Sequence, residues 1–465
     1  MRVAVVGTGV SGLSVVWILK KYSDHEVNAY ERNAAPGPAT LELSPDGKEV
    51  VKLDAYPLGV GVADAQARAF LADAGVPLAP AATSFSATRD GAPLPPAWPL
   101  TLADALSPRA WRLALDVARW ELAGDDGADA SGTILSYLAA RGYSSAFWDD
   151  YLLPRVAGAF LAPTAAAAAL LPAGEVLARL ASARGPRLAS ARGPRLALSG
   201  AALTSAVSPV LPAYNLHTGA RIAAISSHEH GVTLTEESGQ RHGYDHVVLA
   251  LPGAQALALL QAGGWASDAE RRALSGTTAP GVARYAQVQG THVDAWTTPP
   301  AYGGTHTGVA LAPSFALRRG VALTLNPEDE GPPALARTLV SVPPVGAAAA
   351  LAAVQNARRI SYVGAHAHDV ASALASAAAV LSDAPFRAAV PYPAAPALSP
   401  SATLTLRALR LAVALADAAR RAAAPLFLVL GWPAALALAV VGRVAALLGL
   451  DSLHAAASKL RAEWA

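Results

Sequence analysis

The sequence predicts a mixed α/β protein whose first domain is a parallel sheet covered by helices. Residues 3–6 form a short apolar run, β-branched at three of its four positions, which is typical of a buried parallel strand. A glycine-rich turn follows directly, and residues 13–19 then show the apolar periodicity of a helix. A second strand at 26–30 ends on Glu31. The order strand, glycine turn, helix, strand, acid is that of a Rossmann-type unit.

The glycines of the turn have the spacing that dinucleotide binding requires. Gly7 permits the tight turn out of the strand, Gly9 lets the backbone approach a pyrophosphate, and Gly12 lets the helix pack closely on the strand. The helix start presents free N–H groups to the phosphates, and Glu31 can accept hydrogen bonds from ribose hydroxyls. The alternative is a strand–turn–helix with incidental glycines. The two strands and the acid favour nucleotide binding.

Composition limits the classes of protein. A chain of 465 residues exceeds one hydrophobic core, so we expect two or more domains. The chain has no cysteine, which excludes disulfides, cysteine-ligated zinc, iron–sulfur clusters and a cysteinyl flavin linkage. The basic residues are scattered and form no dense tract, so we expect no nucleic-acid partner. The N-terminal apolar segment has the pattern of a strand and not of a secretory signal.

Three later blocks add to the opening motif. They are the aromatic block at 143–154, the strand at 245–252 that ends on a proline, and the strand at 359–365. In this order, and after the opening G-x-G-x-S-G and the acid, they resemble the flavin-containing amine oxidase superfamily. The similarity is greatest to its branch of amine-oxidase-like NAD/FAD-binding proteins, related to phytoene desaturases. It covers roughly residues 1–382.

The resemblance implies a non-covalent FAD cofactor and a discontinuous Rossmann-type FAD-binding domain. That domain would comprise residues 1–80, 197–265 and 350–382. An α+β substrate domain would be inserted in two pieces, 81–196 and 266–349, and would cover the flavin ring.

The resemblance also implies a cofactor site assembled from three parts of the chain. The first holds the pyrophosphate and the AMP ribose, the second touches adenine, and the third meets the flavin. The implied residues are Gly7, Gly9, Ser11 and Gly12 for the pyrophosphate, Glu31 for the ribose, Ile222 for adenine, and Gly364, Ala365 and His366 for the flavin.

The chain departs from the family at three points. A Gly-Gly pair with a basic residue usually follows the ribose acid, whereas residues 35–39 read Ala-Pro-Gly-Pro-Ala. The late flavin motif, 364–369, is shorter than usual and lacks its further glycines and acids. Many amine oxidases place a lysine near the flavin, but no lysine occurs between Lys52 and Lys459.

Taken with the opening motif, the resemblance implies an FAD-dependent oxidoreductase of amine-oxidase type. It would abstract a hydride from a C–N or C–C bond of a small apolar substrate and pass electrons to oxygen or a quinone. Because the flavin performs the redox chemistry, no catalytic side chain is named. Two alternatives stay open: a degenerate flavoprotein with a binding or scaffold role, and an NAD(P)-dependent oxidoreductase.

Two groups of residues allow two interpretations each. His366 and His368 are spaced like a metal pair, but no third ligand is visible and we expect no metal site. They are equally explained as polar residues at a helix start, with Asp369 as its cap. The rings of the 143–154 block line a substrate channel or pack a core, and core packing is favoured.

The end of the chain predicts a linker and a helical tail. Prolines mark 383–403 as a linker, and 404–465 is expected to be helical. Residues 422–442 carry no charge, and at 1.5 Å per residue this run can span a bilayer core of ~30 Å. Pro433 interrupts it, and a hairpin buried in the body is the alternative. We expect a membrane-associated tail and a cytoplasmic enzyme body.

Overall fold

The structure is a computed structural model of the 465-residue chain. It describes residues 1–43, 51–54, 58–61, 64–80, 88–89, 92–93, 108–122, 132–153, 155–156, 168–181, 195–275, 277–279, 283–287, 314–318, 321–325, 340–342, 347–367, 369–392, 404–405, 407–419, 421–422, 437, 439–441 and 443.

Before the tail, the described chain contains twenty strands and ten α-helices. The first part contains β1 (Arg2–Val6), α1 (Val10–Tyr22), β2 (Glu26–Glu31), β3 (Thr40–Leu43), β4 (Val51–Asp54), β5 (Gly59–Gly61), α2 (Ala65–Asp73), β6 (Ala79–Pro80), β7 (Thr88–Arg89) and β8 (Ala92–Pro93). Next come α3 (Pro108–Leu122), α4 (Ile134–Ala140), a π-helix (Phe147–Leu152), α5 (Ala173–Ala181), β9 (Arg195–Ala197) and α6 (Gly200–Val207). Then follow β10 (Leu216–Thr218), β11 (Ile222–His228), β12 (Gly231–Glu236), β13 (Arg241–Tyr244), β14 (His246–Leu249), α7 (Gly253–Ala262) and α8 (Asp268–Leu274). The last group is β15 (Thr277–Ala279), β16 (Ala283–Gln287), β17 (Ser314–Arg318), β18 (Val321–Leu325), β19 (Val340–Val342), α9 (Ala347–Val354), β20 (Ile360–Tyr362) and α10 (Val370–Ser382).

A five-stranded parallel sheet is the centre of the fold. Its strand order is β10-β2-β1-β14-β20. β1 lies in the middle, with Val5 opposite Ala29 of β2 on one side and Val248 of β14 on the other. The strands come from residues 2–31, 216–249 and 360–362, which are far apart in the sequence. The predicted α/β class with a discontinuous Rossmann-type domain is therefore confirmed, whereas its domain boundaries stay a prediction.

Each face of the sheet is covered by a separate apolar cluster. Val3 and Val5 of β1 point to the side that packs against α1, α2 and α10, whereas Ala4 and Val6 point to the opposite side. That second side is covered by the antiparallel sheet β11–β13 and by α7, α8 and α9. Alternation with period two places both sets of β1 side chains in apolar surroundings. This explains why the strand has no polar residue after Arg2.

The aromatic block at 143–154 contributes to a third apolar cluster, separate from the two at the central sheet. Phe147 is fully buried, and its ring stacks on Tyr143 at 4.8 Å and on Tyr151 at 5.5 Å between centroids. Trp120 of α3 lies 5.8 Å from the same ring. These rings contact one another and the helices α3, α4 and α5. The expectation of core packing is confirmed for this block.

The prediction of a linker at 383–403 is wrong for its first half, 383–392. Phe386, Ala388 and Tyr392 are buried in the same cluster as Val3 and α1. The Tyr392 hydroxyl also donates to the Asp73 carboxylate at 2.6 Å. The prolines suggested a spacer, but the aromatic side chains between them bury apolar surface against the Rossmann-type domain. Residues 393–403 lie outside the described part of the chain.

The tail begins with a helix at 407–419 that contacts α3. Arg410 Nε donates to the carbonyl oxygen of Leu122 at 2.6 Å. The Asp417 carboxylate, only 3% exposed, lies 4.0 Å from the Arg119 guanidinium. The uncharged run 422–442 falls almost wholly outside the described residues. Among the residues that the structure describes, no helix combines the length and the apolarity needed to cross a bilayer.

A buried histidine lies at the amino end of the central sheet. His246 is 2% exposed, and its Nε2 lies 2.7 Å from Ser361 Oγ. Because Ser361 donates its own proton to Asn356 Oδ1, the shared hydrogen bond is donated by the imidazole. Burial, followed by the charges of Arg359 and His25, lowers the pKa of His246 from 6.5 to about 4.

This pKa shift predicts an acid-sensitive stability. Between pH 6.5 and 4 the unfolded chain protonates His246 while the folded protein does not. The free energy of unfolding therefore decreases as the pH is lowered through this range. The loss attributable to this residue is on the order of 3 kcal/mol. His246→Leu should flatten the decline, measured as urea midpoints at several pH values. Equal declines in the variant and the wild type would show that other groups cause it.

Candidate functional site

Two of the three motif glycines are required by the fold itself. Gly7 has a φ of +96°, and a Cβ there would lie 2.7 Å from the Ala250 carbonyl oxygen. Its N–H donates to the Tyr30 carbonyl at 2.8 Å, which holds the turn against β2. A Cβ on Gly12 would lie 1.9 Å from the Gly7 carbonyl oxygen. Both positions therefore exclude a side chain because backbone atoms fill the space.

Gly9 differs from the other two. Its φ is −61°, which any residue adopts, and a Cβ there would meet no atom within 4 Å. Open space therefore lies in front of Gly9. The glycine is not explained by packing among the described residues, but a ligand that occupied this space would explain it.

The start of α1 faces this open space. Gly9 is its N-cap residue and offers no side-chain oxygen, and the first turn carries no acid. The first N–H groups of a helix have no partner within the helix, and they carry its partial positive charge. An anion such as a pyrophosphate satisfies both conditions. The donor set at Gly9 and Ser11 therefore fits the predicted phosphate site.

Glu31 lies beside the same turn, and part of its hydrogen-bonding capacity is used there. Its side chain accepts from the N–H of Thr8 at 3.1 Å and from the Thr8 hydroxyl at 2.6 Å, both through Oε2. Its Oε1 accepts from the Asn33 N–H at 2.9 Å. An ionised carboxylate has about four acceptor positions, so Oε1 keeps one free for a ribose hydroxyl. Glu31 therefore lies beside the glycine turn, its contact with a ribose stays a prediction, and its bond to Thr8 is one that the sequence reasoning missed.

The predicted adenine strand begins next to Glu31. The N–H of Ala220 donates to the Glu31 carbonyl at 3.0 Å, and the N–H of Gly219 donates to the Asn33 carbonyl at 2.8 Å. Ile222, at the first position of β11, comes two residues later and is partly buried. Ile222 therefore lies two residues after a backbone hydrogen bond to Glu31. Its contact with adenine stays a prediction.

The late motif meets the glycine turn directly. Gly364 has a φ of +71°, and a Cβ there would lie 2.0 Å from Ser11 Oγ. Its N–H donates to Ser376 Oγ at 3.1 Å. Ala365 is buried, and its carbonyl accepts from the Gly253 N–H at 2.9 Å. Gly364 and Ser11 are therefore neighbours although more than three hundred residues separate them in the sequence.

His366 and Asp369 of the late motif both make hydrogen bonds within the protein. His366 Nε2 lies 2.7 Å from the Ala273 carbonyl oxygen, which fixes the ring against α8. Asp369 caps α10 by accepting from the Ser372 N–H at 2.8 Å, as the helix-start interpretation expected. His368 lies outside the described residues. Across the described parts of the chain, no three histidine or acidic side chains converge into a metal site.

The loop that departs from the family contributes a different contact. Gly37 has a φ of +121°, and its N–H donates to the Thr8 hydroxyl at 3.1 Å. On its other side, a Cβ would lie 2.2 Å from Thr204 Oγ1 of α6. Gly37 is thus held between Thr8 and Thr204, so its position requires a glycine.

Comparison with known proteins supports the fold. The chain matches no protein-family model and no curated protein by sequence. By structure it is similar to a fatty acid isomerase from P. acnes that produces CLA, with a TM-score of 0.57 at 13% identity over 82% of this chain and 98% of that one. It is also similar to putrescine oxidase bound to putrescine, with a TM-score of 0.55 at 12% identity over 82% and 99% of the two chains.

A third similar structure is a protein from Exiguobacterium sp. 255-15 classed as a protoporphyrinogen oxidase. Its TM-score is 0.55 at 16% identity, over 81% of this chain and 96% of that one. The predicted amine-oxidase-type fold is therefore confirmed over most of the chain. One of these three proteins is an isomerase and two carry the name of an oxidase, so the fold by itself leaves the reaction open.

The glycine geometry predicts unequal losses of stability for two matched substitutions. Gly12→Ala places a methyl group on the Gly7 carbonyl and should lower the free energy of unfolding by about 2 kcal/mol or more. Gly9→Ala enters open space and should stay within about 1 kcal/mol of the wild type. Urea denaturation of both variants measures the difference. Equal losses would contradict the distinction between a fold glycine and a ligand glycine.

Proposed function

We propose that the protein is an FAD-dependent oxidoreductase of amine-oxidase type. It abstracts a hydride from a C–N or C–C bond of a small apolar substrate and passes electrons to oxygen or a quinone. One observation carries the proposal: the open space at Gly9, in front of the α1 N-terminus, lies next to Thr8, which binds the carboxylate of Glu31. The similarity to putrescine oxidase and to a protein classed as a protoporphyrinogen oxidase supports the class.

The hydrogen-bond donors of the glycine turn and the acceptor on Glu31 fit the polar groups of FAD. The α1 start would bind the pyrophosphate, and Oε1 of Glu31 would accept a hydrogen bond from the AMP ribose. The contact between Gly364 and Ser11 would place the late motif beside the diphosphate, in the direction of the flavin. A bound flavin would supply the redox chemistry, while these groups bind and orient it. The carboxylate of Glu31 disfavours a 2′-phosphate, which argues against NADP in the same position.

A second candidate is a nucleotide-binding flavoprotein without turnover. The observation that favours it is the use of the late motif in packing: the His366 ring is bound to the Ala273 carbonyl, and Asp369 caps a helix. Neither residue is then free to act on a substrate. Reduction of the bound flavin by an added amine, followed by oxidation in air, separates the two candidates.

The cofactor itself is tested by colour and by one substitution. The purified protein should show a flavin absorbance spectrum, and FAD should be released intact on denaturation. Gly9→Val should fold but carry no FAD, because its side chain fills the space proposed for the pyrophosphate.

Gly243→Val is the matched control, since Gly243 on β13 also faces open space and lies outside the turn. It should keep its flavin. A wild-type protein that is colourless and does not bind added FAD would contradict the proposal. Bound NAD in its place would support the nicotinamide alternative.

We also propose that the tail attaches the protein to a membrane while the enzyme body lies in the cytoplasm. The support is the uncharged run 422–442, which comes directly after a helix docked on α3. An uncharged run of this length is rare in a soluble protein unless it is buried.

A truncation that tests the tail should leave the docked helix in place. A truncation near 384 would remove Phe386 and Tyr392 from the core, whereas one after Ala422 removes only the uncharged run and the residues beyond it. The full chain should sediment with membranes, and the version ending at Ala422 should stay in the supernatant. Recovery of both versions in the supernatant without detergent would show that the run is buried in the body.

A further inference from the structure

We infer that Thr8 is a positioning residue that sets the affinity for the adenosine half of the cofactor, by fixing the carboxylate of Glu31. The inference rests on the proposed function, because it assigns a role within the same site. Thr8 lies between the first two glycines of the motif, where the fingerprint itself specifies no residue.

The hydroxyl of Thr8 uses its hydrogen-bonding capacity on two neighbours. The side chain is fully buried. Its single proton is donated to Glu31 Oε2 at 2.6 Å, and its oxygen accepts from the Gly37 N–H at 3.1 Å. A hydroxyl has only one proton to donate, so these directions are fixed once Glu31 is ionised. Thr8 thereby joins the glycine turn, the end of β2 and the loop at 35–39.

These bonds determine which oxygen of Glu31 stays free. Oε2 takes both donors from Thr8, while Oε1 takes only the Asn33 N–H. The carboxylate is therefore held in one rotamer, with its remaining acceptor position on Oε1. Hydrogen bonds to a charged acceptor are about twice as strong as neutral ones. A carboxylate that is already fixed in the binding geometry loses less freedom on binding, so it holds a ribose hydroxyl more tightly.

Loss of the hydroxyl would affect both neighbours. With valine at position 8, the backbone N–H still donates to Oε2, but the shorter bond from the hydroxyl is gone. The Gly37 N–H also loses its acceptor in a half-buried position. Glu31 then gains rotational freedom that the ligand must remove on binding.

A purely structural role of Thr8 makes a different prediction. If the hydroxyl only stabilised the turn, its loss would weaken every ligand of the site equally. If it positions Glu31 for the ribose, its loss should matter only for ligands that carry ribose hydroxyls.

The experiment compares FAD, ADP and 2′,3′-dideoxy-ADP on full-length protein from which FAD has been removed. The dideoxy compound keeps the adenine and the pyrophosphate but lacks both ribose hydroxyls. Thr8→Val should weaken FAD and ADP by about tenfold, and Thr8→Ser, which restores the hydroxyl, should stay within about threefold of the wild type. The dideoxy compound should bind Thr8→Val and the wild type equally well.

Thr235→Val is the matched control. It makes the same chemical change on β12, where the structure gives the Thr235 hydroxyl no hydrogen bond to any described residue. It should bind all three ligands like the wild type. Thermal unfolding checks that each variant is folded, and Thr8→Ala replaces Thr8→Val if the valine variant is not.

The outcomes separate the two levels of the argument. Equal weakening of ADP and of the dideoxy compound by Thr8→Val would overturn the positioning role, and so would unchanged ADP binding. Failure of Thr8→Ser to restore ADP binding would also count against it. If the wild type binds neither FAD nor ADP, the proposed function fails, and the inference fails with it.

Discussion

The close contact between Gly12 and the carbonyl of Gly7 is the constraint on which the site depends. Because no Cβ separates them, α1 starts immediately behind β1, and its first N–H groups face the open space at Gly9. The turn is fixed from both sides, by the Tyr30 carbonyl of β2 and by Ala250 at the end of β14. The geometry proposed for phosphate binding is therefore a consequence of backbone packing, and no charged side chain is needed to create it.

The parallel sheet brings distant parts of the chain to this turn. β14 and β20 lie on one side of β1 in space but some 240 and 350 residues later in the sequence. Their carboxyl ends meet the glycine turn at the same edge of the sheet, where ligands bind in open α/β folds. The packing of Gly364 against Ser11 results from this arrangement. A late motif that looks weak in the sequence therefore has a defined place in the structure.

The sequence predicted the features that depend on local patterns. The strands beside the turn, the packing roles of Gly7 and Gly12, and the position of Glu31 at the end of β2 follow from β-branched runs, glycine spacing and an acid at a strand end. The hydroxyl of Thr8 was missed because its partners, Glu31 and Gly37, are far from it in sequence. A hydroxyl residue between the first two glycines of the motif is the sequence signal that would have identified it.

Other differences arise from long-range packing. Prolines marked the segment after 382 as a spacer, yet Tyr392 packs against Phe70 of α2 and Phe386 packs against His246 of β14. No sequence pattern indicated a partner for the ring of His366, which the carbonyl of Ala273 holds against α8, and its place beside the flavin stays a prediction. The helix of the tail docks on α3 through Arg410 and Asp417. Helix spacing pairs Asp417 with Arg421, but no sequence pattern indicates its approach to Arg119 or the bond from Arg410 to Leu122. In each case the deciding partner lies in another part of the fold.

The measurement that tests the central claim most directly is a comparison of FAD with its two halves. If the glycine turn and Glu31 provide the affinity, calorimetric titration should show that FAD and ADP compete for one site, while FMN, which lacks the adenosine half, binds far more weakly. Binding of FMN as tight as that of FAD, with no competition by ADP, would contradict the account.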